Sequence, residues 1–354
     1  MRLLDAANLR SFAIPYDSSR ARVILAEDEG SWITVNGVHI HLDKEGTIDK
    51  GPKQFIGKKP HEMNSPDAKQ TVTRHGDVLT KVDTKDGVRV MPDGSPLPKH
   101  IKSLAIPPAW TDVHVNPDKK GTLWATGKDA KRRLQSKYNP KYSESQSAKK
   151  FARVLALEKK FDKVSAKNEK GMTSKDPATR DAAHALALIF HTGIRPGSDK
   201  DTGAEKQAYG ATTLLGKHVV PDGDGVRLQF VGKKGVDLDL PVTDKRIASD
   251  LLSRAKASGG EGKLFPNTDA SHLLQYTHSI GGQVKTKDFR TLLANQVART
   301  EIQKMPAPTT AKGYKAAVKD VATYVSQKLG NTPAVALKSY INPEAFSGWK
   351  GAMA

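Results

Sequence analysis

Val226-Arg227-Leu228-Gln229-Phe230-Val231-Gly232-Lys233-Lys234-Gly235-Val236-Asp237-Leu238-Asp239-Leu240 reads as two strand-like runs joined by a tight turn that glycines bound on both sides. Val219-Val220, ahead of the turn Pro221-Asp222-Gly223-Asp224-Gly225, adds a third short run. On both sides the pattern becomes helical. Phe151, Val154, Leu155, Leu157 and Phe161 recur at helix spacing, as do Ala183, Leu186, Leu188 and Ile189. Helices resume from Lys245 to the end, broken around Pro306 and Pro308. A small three-stranded sheet set among helices predicts an α+β fold for residues 146–354, mainly α-helical.

Residues 70–145 read differently. Gly76-Asp77-Val78-Leu79, Val113-His114-Val115 and Thr122-Leu123-Trp124-Ala125-Thr126 are short strand-like runs separated by Pro-Asp and Asp-Gly turns, which predicts a small β-rich domain. Residues 1–69 form an extension. Within it, alternating residues flank Asn36-Gly37, a strong hairpin signal, and His39 and His41 read as exposed polar positions of a strand. The basic run from Gly51-Pro52 to Lys59-Pro60 is turn-rich and predicts irregular chain. No internal repeat is present.

The 354 residues carry a formal net charge of +19 with only 6% aromatic residues, which points to a polyanionic partner, nucleic acid by default. No apolar run approaches the roughly 18 residues needed to span a bilayer. The start Met1-Arg2-Leu3-Leu4-Asp5 lacks the apolar core of a secretory signal. The absence of cysteine excludes disulfides, thiolate zinc sites and a cysteine nucleophile, and fits a cytoplasmic protein. The eleven histidines form no close ligand set, and no phosphate-binding G-x-x-x-x-G-K-[ST] loop occurs, so neither a metal nor ATP is expected.

Three basic residues occupy unusual settings. Arg195 follows an apolar helical run and a glycine in Thr192-Gly193-Ile194-Arg195, so it projects from a helix end. Lys233 stands at the tip of the tight turn, where a lysine can reach into a groove and protonate a leaving oxygen. Arg290, in Lys287-Asp288-Phe289-Arg290-Thr291, opens an apolar helical run. The chain then ends in Leu329-Gly330-Asn331-Thr332-Pro333-Ala334-Val335-Ala336-Leu337-Lys338-Ser339-Tyr340 and a short tail. A phenol, with an ordinary pKa near ~10, becomes a nucleophile only when cations stabilise the developing phenolate. Direct displacement at a phosphodiester loads charge onto the nonbridging oxygens, a task suited to arginine forks. Taken singly, each residue also reads as ordinary surface, turn or helix-end chemistry.

The order of these motifs resembles a type IB DNA topoisomerase of the compact bacterial and poxvirus kind. Leu104-Ala105-Ile106-Pro107-Pro108-Ala109-Trp110-Thr111-Asp112-Val113, then Asn116-Pro117-Asp118, then Ala125-Thr126-Gly127-Lys128-Asp129-Ala130-Lys131 resembles that family's N-terminal DNA-clamping domain. The resemblance runs from about residue 70 to 350. It implies the catalytic fold shared by tyrosine recombinases and type IB topoisomerases, and double-stranded DNA as partner. It further implies Tyr340 joining a 3′ phosphate, Arg195 and Arg290 on the nonbridging oxygens, and Lys233 protonating the 5′ hydroxyl. Asn331 takes the place where many members carry histidine. No cofactor, no obligatory protein partner and a monomer clamping DNA are expected, in a bacterial nucleoid or phage-associated setting.

After Lys131 the family tends to carry a Gly-Arg-Lys-Gln-Tyr-x-Tyr-like run. Here Arg132-Arg133-Leu134-Gln135-Ser136-Lys137-Tyr138 puts Ser136 at the first aromatic. Lys131, Arg133, Lys137 and Tyr138 remain as phosphate contacts, with a solvated basic helix as the plainer reading of the four. Lys287 joins them as a DNA contact and stands where tyrosine recombinases carry the histidine of His-x-x-Arg. That lysine and the Ile-Pro-Pro-Ala-Trp segment favour the topoisomerase over a recombinase, or over a DNA-binding protein with a decayed site.

Overall fold

The computed structural model describes residues 31–35, 38–42, 48–50, 70–73, 76–198, 207–233 and 235–351. The Asn36-Gly37 turn, the basic run from Gly51 to Pro60, and Lys234 lie outside the described residues. The chain is a mixed helical and sheet protein that divides into two units, with the boundary between Glu144 and Ser145.

The first unit is built from antiparallel strands. β1 (Ser31–Val35), β2 (Val38–Leu42) and β3 (Ile48–Lys50) form one sheet, with Ser31 opposite Leu42 and Val35 opposite Val38. β4 (Gln70–Val72) and β5 (Val78–Lys81) belong to a five-stranded sheet, while β6 (Asp83–Lys85) and β7 (Val88–Val90) pair as a separate ribbon. After the short helix α1 (Lys99–Lys102) come β8 (Thr111–Val115), β9 (Leu123–Lys128) and β10 (Leu134–Tyr138), and the large sheet runs β10-β9-β8-β5-β4. Ile101, Val113, Val115, Trp124 and Ala125 form its core.

Two polar side chains organise the loops of this unit. Pro107 and Pro108 contribute carbonyls but no N–H groups, and the carbonyls here converge on one guanidinium. Arg89 Nη1 donates to Ile106 O at 3.2 Å, and Nη2 donates to Pro107 O, Pro108 O and Trp110 O at 2.9, 3.0 and 2.8 Å. Asn116, 3% exposed, donates to Asp77 at 3.2 Å and to Leu123 O at 3.1 Å, while its Oδ1 accepts from Asp118 N at 2.9 Å. The Asn116-Pro117-Asp118 motif is thus a side-chain-stapled turn.

The segment Lys131 to Tyr138 removes the plainer of its two readings. It is a turn followed by an edge strand, not a solvated basic helix. Arg132 adopts φ 57°, and the Asp129 carboxylate accepts from the amides of Lys131 and Arg133, both at 3.0 Å, so the carboxylate closes a turn that directs the chain back against β9.

In the second unit, α2 (Pro140–Lys159), whose first residues precede the unit boundary, starts earlier than the apolar periodicity indicates, because Pro140 suits a first helical position. Phe161 does not continue that helix. It opens α3 (Phe161–Met172) after a break at Lys160. α4 (Pro177–Thr192) is the central helix. The Asp176 carboxylate caps its first turn by accepting from Thr179 N at 2.8 Å. Ala182, Ala183, Ala185, Leu186, Leu188 and Ile189 are fully buried, and Gly193 ends the helix at φ 65°. A Cβ on Gly193 would lie 2.8 Å from Leu329 Cδ2, so this position excludes side chains on both conformational and steric grounds.

β11 (Val219–Asp222), β12 (Gly225–Gly232) and β13 (Val236–Val242) form the small antiparallel sheet, with Gly232 opposite Val236 at the Lys233 turn. Then follow α5 (Lys245–Ala257), α6 (Ala270–Gly281), α7 (Thr286–Lys304), α8 (Ala311–Leu329), α9 (Pro333–Ser339) and α10 (Ser347–Gly351). One apolar core joins α2 to α7 with the sheet, with Phe289 and Leu292 as the α7 members. A second joins α7, α8, α9 and the tail, through Ala294, Val321, Val325, Leu329, Ala336, Ile341, Phe346 and Trp349. Tyr340 packs at the edge of the second core.

Candidate active site

Tyr340 follows the last residue of α9 with φ −126° and ψ −38°, which turns the chain out of the helix while its amide still donates to Ala336 O at 3.0 Å. Thr332 caps the other end of α9, and Pro333 fixes its first turn. The phenol of Tyr340 accepts a hydrogen bond from Arg195 Nη1 at 3.1 Å, and the Arg290 guanidinium lies 5.0 Å from the ring centroid. Burial acts to raise the phenol's pKa. Arg290 first, and then Arg195, outweigh that effect, so the phenol ionises below the ordinary tyrosine range. Replacing Arg195 with alanine is expected to raise the pH at which Tyr340 ionises. Ultraviolet difference titration of each protein against its Tyr340→Phe counterpart would isolate this one phenol, and an unmoved midpoint would count against Arg195 as a stabiliser of the phenolate.

Arg290 is only 2% exposed. Its Nη1 donates to Gly193 O and its Nη2 to Leu329 O at 2.7 Å. Both acceptors stand at the C-terminal ends of helices, α4 and α8, where carbonyls lack helical donors and carry the negative end of the dipole. One cation therefore closes two helices, and burial holds its pKa below the ordinary arginine value. Arg195 comes within reach because Gly193 turns the chain, and its own carbonyl is fixed by Ala211 N at 2.8 Å.

Asn331 follows Gly330, which ends α8 at φ 57°, and its amide donates to Ser326 O at 3.0 Å. Among the described residues, three buried side-chain polar atoms have no hydrogen-bond partner: Arg290 Nε, Asn331 Nδ2 and Asn331 Oδ1. Buried polar groups are rarely left unpaired. All three fall within two residues of groups already joined to the Arg290 bridge, so the site holds unspent donor and acceptor capacity for a polar ligand.

Lys233 stands exposed at the β12–β13 turn and makes no hydrogen bond or ion pair with another described residue. The structure does not bring it into contact with the tyrosine. It does tie its hairpin to the site. A Cβ on Gly232, at the base of the turn, or on Gly330 would run into the Leu238 side chain, so Leu238 sits against both glycines. Lys287 is exposed in the first turn of α7.

The other DNA-contact candidates lie in the first unit. Lys131 is exposed in the turn before β10. Arg133 is paired with Asp129 at 2.7 Å, an engagement the residue pattern did not foretell. Lys137 Nζ lies 6.0 Å from the Trp110 ring centroid, and Tyr138 stacks on Tyr142 at 5.7 Å.

Two residues escaped the sequence reading. Asn295, 3% exposed, donates from Nδ2 to Tyr340 O at 2.8 Å and to Thr291 O at 2.7 Å, while its Oδ1 accepts from Asn342 N at 2.7 Å. An amide recurring with Thr291 on the buried face of α7 was the available signal. Lys150 Nζ donates to Ser339 O at 2.9 Å, and nothing in Lys149-Lys150-Phe151 marks one lysine over the other.

Among the described residues no cluster of three or more His, Asp or Glu side chains has metal-binding geometry, and no helix is long and apolar enough to cross a membrane.

Comparison with known proteins places this geometry in a family. Residues 139–346 match the catalytic core of eukaryotic DNA topoisomerase I, and residues 90–129 match the N-terminal domain of bacterial DNA topoisomerase IB. DNA topoisomerase 1B of Acanthamoeba polyphaga mimivirus is 26% identical over 279 residues, covering 70% of this chain and 81% of the relative. DNA topoisomerase 1B of Vaccinia virus (strain Copenhagen) is 26% identical over 266 residues, with the same coverages of 70% and 81%. Human DNA topoisomerase 1 is 25% identical over 167 residues, 45% of this chain but only 22% of the longer human protein.

Proposed function

The chain belongs to the type IB DNA topoisomerase family, and from that premise we propose that it relaxes supercoiled DNA by cutting one strand, letting it swivel, and resealing it. The Tyr340 phenol oxygen attacks a backbone phosphorus and gives up its proton to solvent. The bond from phosphorus to the 5′ oxygen breaks, leaving a 3′-phosphotyrosyl linkage. Arg195 and Arg290 hold the nonbridging oxygens, and Asn331 offers its partnerless amide to the same phosphate. Lys233 delivers a proton to the departing 5′ oxygen from the tip of its hairpin. After rotation, the 5′ hydroxyl attacks the phosphotyrosine and the steps reverse. The covalent bond conserves the energy of the broken linkage, so the cycle draws on neither ATP nor a metal ion.

The observation that carries this reading is the contact of Tyr340 with two guanidinium groups, which favour the phenolate. In the same proposal the N-terminal unit is a DNA clamp. Lys131, Arg133, Lys137 and Tyr138 contact the backbone there, and Lys287 adds a phosphate contact in the catalytic unit. The enzyme works as a monomer without an obligatory protein partner, on double-stranded DNA in the cytoplasm, in a nucleoid or phage-associated setting. The net charge of +19 supports an affinity that falls steeply with salt.

Purified protein is expected to relax a supercoiled plasmid in EDTA and to leave a denaturant-stable DNA adduct that peptide mapping assigns to Tyr340. Failure to relax the plasmid, together with site-specific strand exchange, would move the protein to the recombinases.

A further inference from the structure

We propose that Lys150 is a positioning residue for the nucleophile: its hydrogen bond to the Ser339 carbonyl fixes the peptide plane from which the Tyr340 side chain departs. This inference rests on the reading of Tyr340 as the nucleophile.

The geometry begins with a short helix. α9 has seven residues, too few to hold its own shape or direction in water, so its orientation must come from tertiary contacts. Ser339 is its last residue, and its carbonyl is among the final four that have no helical donor. Lys150, 189 positions earlier in the chain, fills that vacancy at 2.9 Å and places a full positive charge at the negative end of α9. The next carbonyl, that of Tyr340, is taken by Asn295 from α7 at 2.8 Å. Two consecutive peptide planes flanking the Tyr340 Cα are therefore each held by a side chain from a different helix, α2 on one side and α7 on the other. With both planes held, the phenol has only its own side-chain torsions left to explore.

The surroundings of Lys150 confine its side chain. Its Nζ lies 4.0 Å from the ring centroid of Phe151, which is 8% exposed, so the aliphatic stem is confined. Burial first, and Lys287 next, act against its charge, while Asp288 supports it. That carboxylate is already shared with Arg153 at 3.1 Å and with the Lys285 amide at 3.0 Å. The partly desolvated ammonium thus directs its hydrogen bond at the tyrosine segment.

The ammonium is spent on the Ser339 carbonyl and makes no hydrogen bond to the phenol oxygen, so its effect should appear in the rate of attack and not in DNA affinity. The test uses the full chain and three proteins: parent, Lys150→Met and Lys150→Arg. Methionine keeps the stem and its packing but removes the donor, whereas arginine keeps a charged donor. Single-turnover cleavage of a duplex that traps the covalent complex is expected to slow by about 10- to 100-fold in Lys150→Met, the scale of a displaced reacting group. Duplex affinity, measured with Tyr340→Phe added to each protein, is expected to stay within about twofold by the same argument. Lys150→Arg is expected to recover most of the lost rate. Cleavage by Lys150→Met at the parent rate would overturn the proposal, as would an equal loss of affinity and rate, or no recovery with arginine. If the parent itself forms no adduct at Tyr340, the nucleophile assignment fails first. If the parent forms it and Lys150→Met matches it, only the positioning role fails.

Discussion

Tyr340→Phe is expected to form no covalent adduct and to relax no plasmid, while binding duplex DNA within about twofold of the parent, because the proposed mechanism assigns the phosphate contacts to other residues. The substitution removes one oxygen and little else. The ring keeps its place against Arg290 and the edge of the second core. The hydrogen bond lost to the charged Arg195 contributes about 1.5–3 kcal/mol, too little to unfold a unit with two apolar cores. The separation of binding from chemistry is therefore the diagnostic. A labelled duplex on a denaturing gel reports the adduct, and filter binding or anisotropy reports affinity. Relaxation at the parent rate would mean that some other group attacks the phosphate.

Arg290→Ala is expected to damage rate and fold together. Removing one preorganised donor from a site of developing charge costs about 10²- to 10³-fold in rate. The same truncation leaves Gly193 O and Leu329 O without their donor in the interior, at about 1–3 kcal/mol for each unpaired group. Lysine separates the two effects. It restores a charge and can satisfy one carbonyl, but it lacks the fork that spans both helix ends. Arg290→Lys should then regain part of the melting temperature lost by Arg290→Ala while regaining little of the cleavage rate. Thermal unfolding followed by circular dichroism, with single-turnover cleavage, checks both arms. An alanine variant that melts with the parent would show that the two carbonyls do not depend on this bridge.

Arg290 also shows where sequence reasoning reached and where it stopped. Gly193 and Gly330 are legible as helix ends, because glycine after an apolar periodic run predicts a left-handed cap. That the carbonyls at both ends meet on a single guanidinium is a long-range fact, and no local pattern encodes it. Lys233 was legible for the opposite reason, since glycines around a lysine between two strand-like runs define a hairpin tip locally. The limits of α2 and α3 were blurred because Phe161 keeps the helical spacing across a break at Lys160. For the run from Arg133 to Tyr138 a basic helix stayed open as the plainer reading, because alternating polar residues on an edge strand carry no apolar stripe and strand and basic helix look alike. Asn295 and Lys150 act on backbone atoms of a distant segment, and such partners are visible only once the chain is folded.

The contact of Leu238 with Gly232 and Gly330 gives the small sheet a mechanical character. The β12–β13 hairpin is a cantilever whose free end carries Lys233 and whose seat is the glycine that precedes Asn331. If Lys233 is the proton donor proposed above, its reach depends on a contact that lies away from both the proton and the phosphate. A bulkier residue at 330 would tilt the beam, and a smaller one at 238 would slacken it. In either case the placement of Lys233 is expected to change, while Arg195 and Arg290 keep their contacts with Tyr340.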